Sequence, residues 1–289
     1  MCFSIKIKKL IALIFCVVIV CIVVVKSCFS SAVRAEIKKI NSVEVPIIMY
    51  HSILKDENMW NDYVLSPVEL EKDLVWLREN DYKTVFINDI VEFVNGDNEL
   101  PKKSVVLTFD DGFYNNYYYV FPLLKKYNAK ATISIVGSYS EFACEEANPQ
   151  PAYSYLDWDN INEMRKSGLV EFANHSYNLH SLDNRRGTVK DKGESYENYR
   201  HVLLTDIFKN QHLIEDFCGF TPNIFTYPYG LTCEAGERLI KNSGFNATLG
   251  TEEKMNYIKK DDNDSLYNMH RFNRPSYIST KDFMKKCGL

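Results

Sequence analysis

The 289-residue chain has no surplus of positive charge. Its 34 Lys and Arg stand against 38 Asp and Glu, a formal net charge of −4, which argues against nucleic acid as the main partner. It also lacks any Cys-x-x-Cys pair or Cys/His spacing of the zinc-knuckle kind. Its cysteines divide between Cys2, Cys16, Cys21 and Cys28 at the front and Cys144, Cys218, Cys233 and Cys287 further on. The latter four allow three disulfide pairings, among which sequence does not choose; free buried thiols are the simpler alternative. No internal repeat recurs, so the chain is not an array of repeated units. Long apolar runs are absent as well, with one exception.

That exception is "LIALIFCVVIVCIVVV", Leu10 to Val25, preceded by Lys6, Lys8 and Lys9 and closed by Lys26. A full helical span takes about 20 residues and the apolar core of a signal peptide roughly 7–15, so this run lies between the two. The leading lysines predict that they stay in the cytoplasm and that everything after Lys26 is exported. Residues 1–26 are therefore expected to be an uncleaved signal anchor, the alternative being a signal peptide cut after Ala35 in "AVRA", where Arg34 suits cleavage badly. Residues 27–43 are short and polar, a stalk, and residues 44–289 are expected to form one domain outside the membrane, or secreted if cleaved near Ala35.

Hydrophobic content of 46% is ample for a core. From Val45 onward strand-like and helix-like runs alternate. "VPIIMYHSI" (45–53), "YKTVFI" (82–87), residues 104–109, "ATISIVG" (131–137), "LVEFAN" (169–174) and "NIFTY" (223–227) read as strands, and "FNATLG" and "YNMHRF" as late ones. A helix is predicted over 66–81, with Ser66 as N-cap, Pro67 in the first turn and Glu69 completing a capping box; Leu70, Leu74 and Leu77 form its apolar face. Asn88 is expected to cap the next helix, Thr232 to open one ending near Ser243, and Ser279 to cap the last. Further helices are predicted near 113–127, 159–167 and 194–217. Such alternation implies βαβ units on a parallel sheet. With about seven units in one domain, a distorted parallel (β/α) barrel is favoured over an open doubly wound sheet. Parallel barrels place their chemistry at the C-terminal ends of the strands.

Two motifs fall at such ends. "SVVLTFDDGFYNN" (104–116) finishes a buried strand on Asp110 and Asp111. Seen alone, Asp-Asp-Gly is a turn, but two like charges next to a core are costly unless a cation or hydrogen bonds compensate them. "LVEFANHSYNLHSL" (169–182) sets His175 and His180 after another strand. Five residues apart, they do not share a helix face, yet from a loop both imidazoles can turn to one point. Two His and one carboxylate suit a catalytic zinc site with positions left open, and the same donors accept cobalt, nickel or iron. An Asp beside the ligating one can then act as general base toward a water whose pKa the cation lowers.

Together these motifs resemble the polysaccharide deacetylase family, the NodB-homology carbohydrate esterases, over about Val45 to Pro275. "TFDDG" (108–112) and "HSYNLH" (175–180) match the family's first two motifs in order and spacing. The resemblance implies Asp110 as catalytic base, Asp111, His175 and His180 as ligands to a divalent metal, Zn2+ foremost, and an N-acetylated glycan as substrate. The third motif is "TYPYG" (226–230), in which Thr226 stands where the family has an Arg that orients the base. Pro228, Tyr229 and Gly230 keep the rest, with the Tyr229 backbone N–H expected to hold an oxyanion. The motif supplying a catalytic His is matched by "MYHS" near the front, which resembles the circularly permuted poly-β-1,6-N-acetylglucosamine deacetylase branch. His51 is accordingly the expected acid, with His270 as fallback. Arg271 and Arg274 are candidates for the missing Arg, and the fourth motif is not recognisable.

Overall fold

A set of parallel strands carries the architecture, and each exists because a short β-branched or aromatic run is bounded by turn residues. In chain order they are β1 (Ile47–Tyr50), β2 (Lys83–Thr84), β3 (Ser104–Phe109), β4 (Ala131–Ile135), β5 (Val170–Asn174), β6 (Ile224–Thr226), β7 (Ala247–Leu249) and β8 (Phe272–Asn273). The structure is a computed structural model that describes residues 42–183 and 185–289. The expected anchor, and the stalk up to residue 41, lie outside the described residues. Among the described residues no helix is long and apolar enough to cross a membrane. Glu44–Leu289 forms one compact unit.

The strands run β7-β6-β5-β4-β3-β1-β8, every neighbouring pair parallel. β2 pairs with the first half of β3, through Lys83↔Ser104 and Thr84↔Val105, while the second half of β3 pairs with β4 through Thr108↔Thr132. A parallel bridge joins Leu249 to Met269, and three residues later Phe272 pairs with Ile48. The segment Met269–Asn273 therefore touches both β7 and β1 and curls the sheet into the expected distorted (β/α) barrel. All residues of β3 and β4 are buried, as parallel strands covered on both faces require.

The helices lie between the strands. Ser66 caps Pro67–Glu79 by accepting the Glu69 N–H at 3.0 Å, and Ser279 caps Thr280–Lys286 from Asp282 at 3.2 Å. Three expectations need correction. Asn88 lies inside the helix Ile87–Asn95, whose N-cap is Phe86; its amide is used instead to donate to Glu171 at 2.8 Å. The helix Glu234–Lys241 starts after Cys233 and not at Thr232. The aromatic stretch is no uniform helix: a π-turn, Asn116–Val120, precedes the α-helix Phe121–Tyr127. The wider turn lets two adjacent amides face inward. Asn115 accepts the Ile53 N–H at 2.9 Å, and Asn116 donates to the His51 carbonyl at 3.0 Å. Wide turns of this kind are frequent at functional sites. A helix over Gly137–Ala143 had no sequence signal, because Gly and Ser in "GSYSEFA" are weak helix formers.

Candidate active site

The strand ends bring the two motifs together. Asp110 and Asp111 follow β3, His51 follows β1 and His175 follows β5. The Asp110 N–H donates to the Tyr50 carbonyl at 3.0 Å, so the ends of β1 and β3 are in register. Asp111 adopts φ of 72°, a left-handed conformation uncommon outside glycine. Two consecutive residues thereby serve different neighbours. A cavity of about 640 Å³ opens over them, lined by His51, Asp111, His175 and His180, with Tyr63, Leu182 and Tyr229 at its sides.

Asp111 Oδ1 is the meeting point of the two imidazoles. His180 Nε2 lies 3.0 Å from it and His175 Nε2 3.5 Å. His175 Nδ1 is 2.8 Å from the Thr226 carbonyl. A carbonyl only accepts, so Nδ1 carries the proton, and the Nε2 that faces Asp111 is the nitrogen whose lone pair becomes free when the ring is neutral. Oδ1 is buried and receives no hydrogen bond. Lone pairs facing a carboxylate oxygen that has no donor call for a cation between them. The three ligand atoms lie within 4.8 Å of one another, and an N₂O donor set of this kind fits zinc or a neighbouring first-row metal.

Asp110 has a different partner. Arg271, immediately before β8, donates to both of its oxygens, Nη1 to Oδ1 at 2.7 Å and Nη2 to Oδ2 at 2.8 Å. The same guanidinium is fixed by Nε donating to the Gly250 carbonyl at 2.7 Å. Burial alone would raise the Asp110 carboxyl; the charge and hydrogen bonds of Arg271 outweigh it and hold the group below its usual range. Asp110 is thus ionised near neutrality. His51 Nε2 stands 4.0 Å from Asp110 Oδ2, with the Tyr63 ring edge-on at 4.9 Å. Burial pulls the His51 imidazole below its usual value, against the raising effect of Asp110 and Asp111.

The other named residues fall into place or outside it. His270 sits next to Arg271 in sequence, but its Nδ1 lies 3.5 Å from Glu252 and it does not line the cavity. Arg274 pairs with the buried Asp73, at 2.8 and 3.2 Å, and not with Asp110. Thr226, at the missing Arg position, supplies its carbonyl to His175 and shares a hydrogen bond of 2.7 Å with Ser134. Pro228 is buried and Tyr229 exposed in a tight turn. Gly230 there has φ of +65°, and a Cβ would fall 2.0 Å from the Thr251 hydroxyl. Its N–H donates to the Tyr227 carbonyl at 2.8 Å, so it is committed within the turn. Sequence reading did not point to the inward amides of Asn115 and Asn116, which have no motif of their own.

The strand ends of one parallel α/β barrel thus carry an acid forked on an arginine beside a His₂Asp cluster able to hold a cation. Residues 97–248, just over half of the chain, match the polysaccharide deacetylase family, to which this chain belongs. It is 30% identical over 183 residues to a poly-β-1,6-N-acetyl-D-glucosamine N-deacetylase of Escherichia coli K12, covering 56% of this chain and 27% of that one. The chain thus spans about a quarter of the length of that relative. It is 24% identical over 209 residues to a protein of the same name from Staphylococcus epidermidis, covering 72% and 68%. Among solved structures, a de-N-acetylase from Aggregatibacter actinomycetemcomitans superposes with a TM-score of 0.70 at 27% identity, covering 84% of this chain and 99% of that one.

Proposed function

We propose that this chain is a metal-dependent N-deacetylase that removes acetyl groups from N-acetylglucosamine units of an extracellular polysaccharide of the poly-β-1,6 type. The observation that carries the proposal is the division of labour between Asp110, forked on Arg271, and Asp111, facing two imidazoles. Support for the substrate comes from the names of the relatives in Escherichia coli and Staphylococcus epidermidis. Support for an extracellular, membrane-anchored site comes from the lysine-flanked apolar run before Lys26.

Asp111, His175 and His180 would hold a divalent cation, zinc foremost, which when bound polarises an acetamide carbonyl and acidifies water. Asp110, ionised, takes a proton from the attacking water. The Tyr229 backbone N–H donates to the oxygen that gains negative charge. His51 protonates the departing amine. Because burial keeps His51 neutral before turnover, that proton must arrive within the cycle. Asp110, made acidic by Arg271, is its donor across the 4.0 Å gap. Acetate leaves and a free glucosamine remains.

The same chemistry on peptidoglycan is the nearer alternative, and a non-catalytic glycan-binding barrel the more distant. A threonine at 226 in place of the family's Arg would favour a binder, but Arg271 forks on Asp110 as that Arg would and counts against it. Acetate release by the zinc-loaded full chain from poly-β-1,6-N-acetylglucosamine, chitin and peptidoglycan fragments tests all three. Release from the first alone is expected. Release only from peptidoglycan would move the substrate to the cell wall, and none from any would overturn the enzyme.

A further inference from the structure

The two imidazoles facing Asp111 are oriented by different means. His175 is set by a buried main-chain carbonyl, that of Thr226. His180 belongs to the loop beyond β5, and among the described residues no carbonyl is hydrogen-bonded to its Nδ1. Instead the Tyr229 hydroxyl lies 3.2 Å from Nδ1 and the Tyr139 hydroxyl 3.5 Å. The two phenols come from separate elements, Tyr229 from the tight turn after β6 and Tyr139 from the helix Gly137–Ala143 after β4. The Tyr229 ring also stacks on His180, with centroids 4.4 Å apart and planes tilted by 35°.

A phenol hydroxyl can donate or accept, so its proton has to be accounted for. Tyr229 Oη lies 3.5 Å from the His180 carbonyl and donates there. Its lone pairs are then what His180 Nδ1 meets, an arrangement that favours the tautomer protonated at Nδ1. That leaves Nε2 as a lone pair, directed at Asp111 Oδ1 at 3.0 Å. Tyr229 holds this position from a backbone at φ 57°, ψ 12°, a left-handed conformation that a non-glycine residue keeps only where its surroundings fix it.

We propose that the Tyr229 hydroxyl is a positioning group for the metal ligand His180, backed by Tyr139, so that the turn offering an oxyanion donor and the metal site are one mechanical unit. The inference rests on the metal-dependent reading above. Outer partners that orient a ligating imidazole are typically worth about 10- to 100-fold in metal affinity.

The test is the dissociation constant for Zn2+, by competition with a chromophoric chelator, for the full-length chain, Tyr229→Phe and Tyr139→Phe. The absorption bands of the Co2+-loaded forms are recorded at saturation. Tyr229→Phe keeps the ring and removes one oxygen; it should bind Zn2+ at least about tenfold more weakly and shift the cobalt bands, with the melting temperature of the metal-free protein unchanged. Tyr139→Phe should move both in the same direction by less. A loss under about tenfold in Tyr229→Phe, or an unaltered cobalt spectrum, would overturn the positioning role. If the unaltered chain binds neither metal, the metal-dependent reading itself fails.

Discussion

Arg271 and Asp110, 161 residues apart in sequence, form a buried fork in which two guanidinium nitrogens meet two carboxylate oxygens at 2.7 and 2.8 Å. Such bidentate pairs fix orientation as well as charge. Here the fork leaves Oδ2 also facing His51 at 4.0 Å. Asp110 is in this way ionised, aimed and coupled to the second titrating group.

Asp110→Asn should lower acetate release by about 10²–10⁴-fold, the span of a general base, with zinc content unchanged because the ligands are untouched. His51→Ala should lower it within the same span, again without loss of metal. Steady-state kinetics beside metal analysis checks both. Loss of zinc in Asp110→Asn would place that residue among the ligands.

Arg271→Met should shift the acid limb of kcat/KM to higher pH. Asp110 is active when ionised, and Arg271, with smaller help from His175 and His51, is what holds its carboxyl down against burial. Without the guanidinium, burial dominates, the carboxyl rises, and the base is lost at a pH where the unaltered enzyme still works. Arg271→Lys restores charge without the fork and should recover only part of the shift. A pH–rate profile unchanged in Arg271→Met would detach the pair from catalysis.

Arg274→Met should act on stability instead. Arg274 donates to Asp73 at 2.8 and 3.2 Å, and both side chains are fully buried. Tyr50 and Thr280 also donate to Asp73, at 3.1 and 2.7 Å. Removing one partner of a buried pair costs about 3–5 kcal/mol, read as a fall in the denaturation midpoint. Metal affinity and the acid limb should stay as they are, which separates it from its neighbour three positions earlier.

Chelation should abolish acetate release and added Zn2+ should restore it. It should also lower the melting temperature, since a ligand held at about 100 times its Kd stabilises the folded state by about 2.7 kcal/mol. Calorimetry with and without zinc measures this. No change in melting temperature on loading would argue against a cation at Asp111, His175 and His180.

Much of this was legible along the chain. Ser66 and Ser279 cap because hydroxyl-bearing residues satisfy exposed helix N–H groups locally. The alternation of strands and helices set the parallel sheet, and "TFDDG" and "HSYNLH" marked the ends of two of its strands. Asn88 misled because its side chain reaches Glu171, 83 residues away, and a long-range partner overrides a local preference. The π-turn was hidden for the same reason, since the amides of Asn115 and Asn116 at its start are satisfied by Ile53 and His51 from the segment after β1.

By itself, then, the sequence determined the local elements and which residue types stand at the strand ends, for these follow from periodicity, capping and turn chemistry within a few positions. Only the tertiary structure decided that Arg271 meets Asp110 while Arg274 meets Asp73, and that His51 stands over the cavity while His270 turns to Glu252. Arg271 and Arg274 flank the short strand β8, and His270 is the residue before Arg271. Which of them turns into the barrel depends on how the segment Met269–Asn273 joins β7 to β1, a pairing between residues some 220 positions apart that no local pattern encodes.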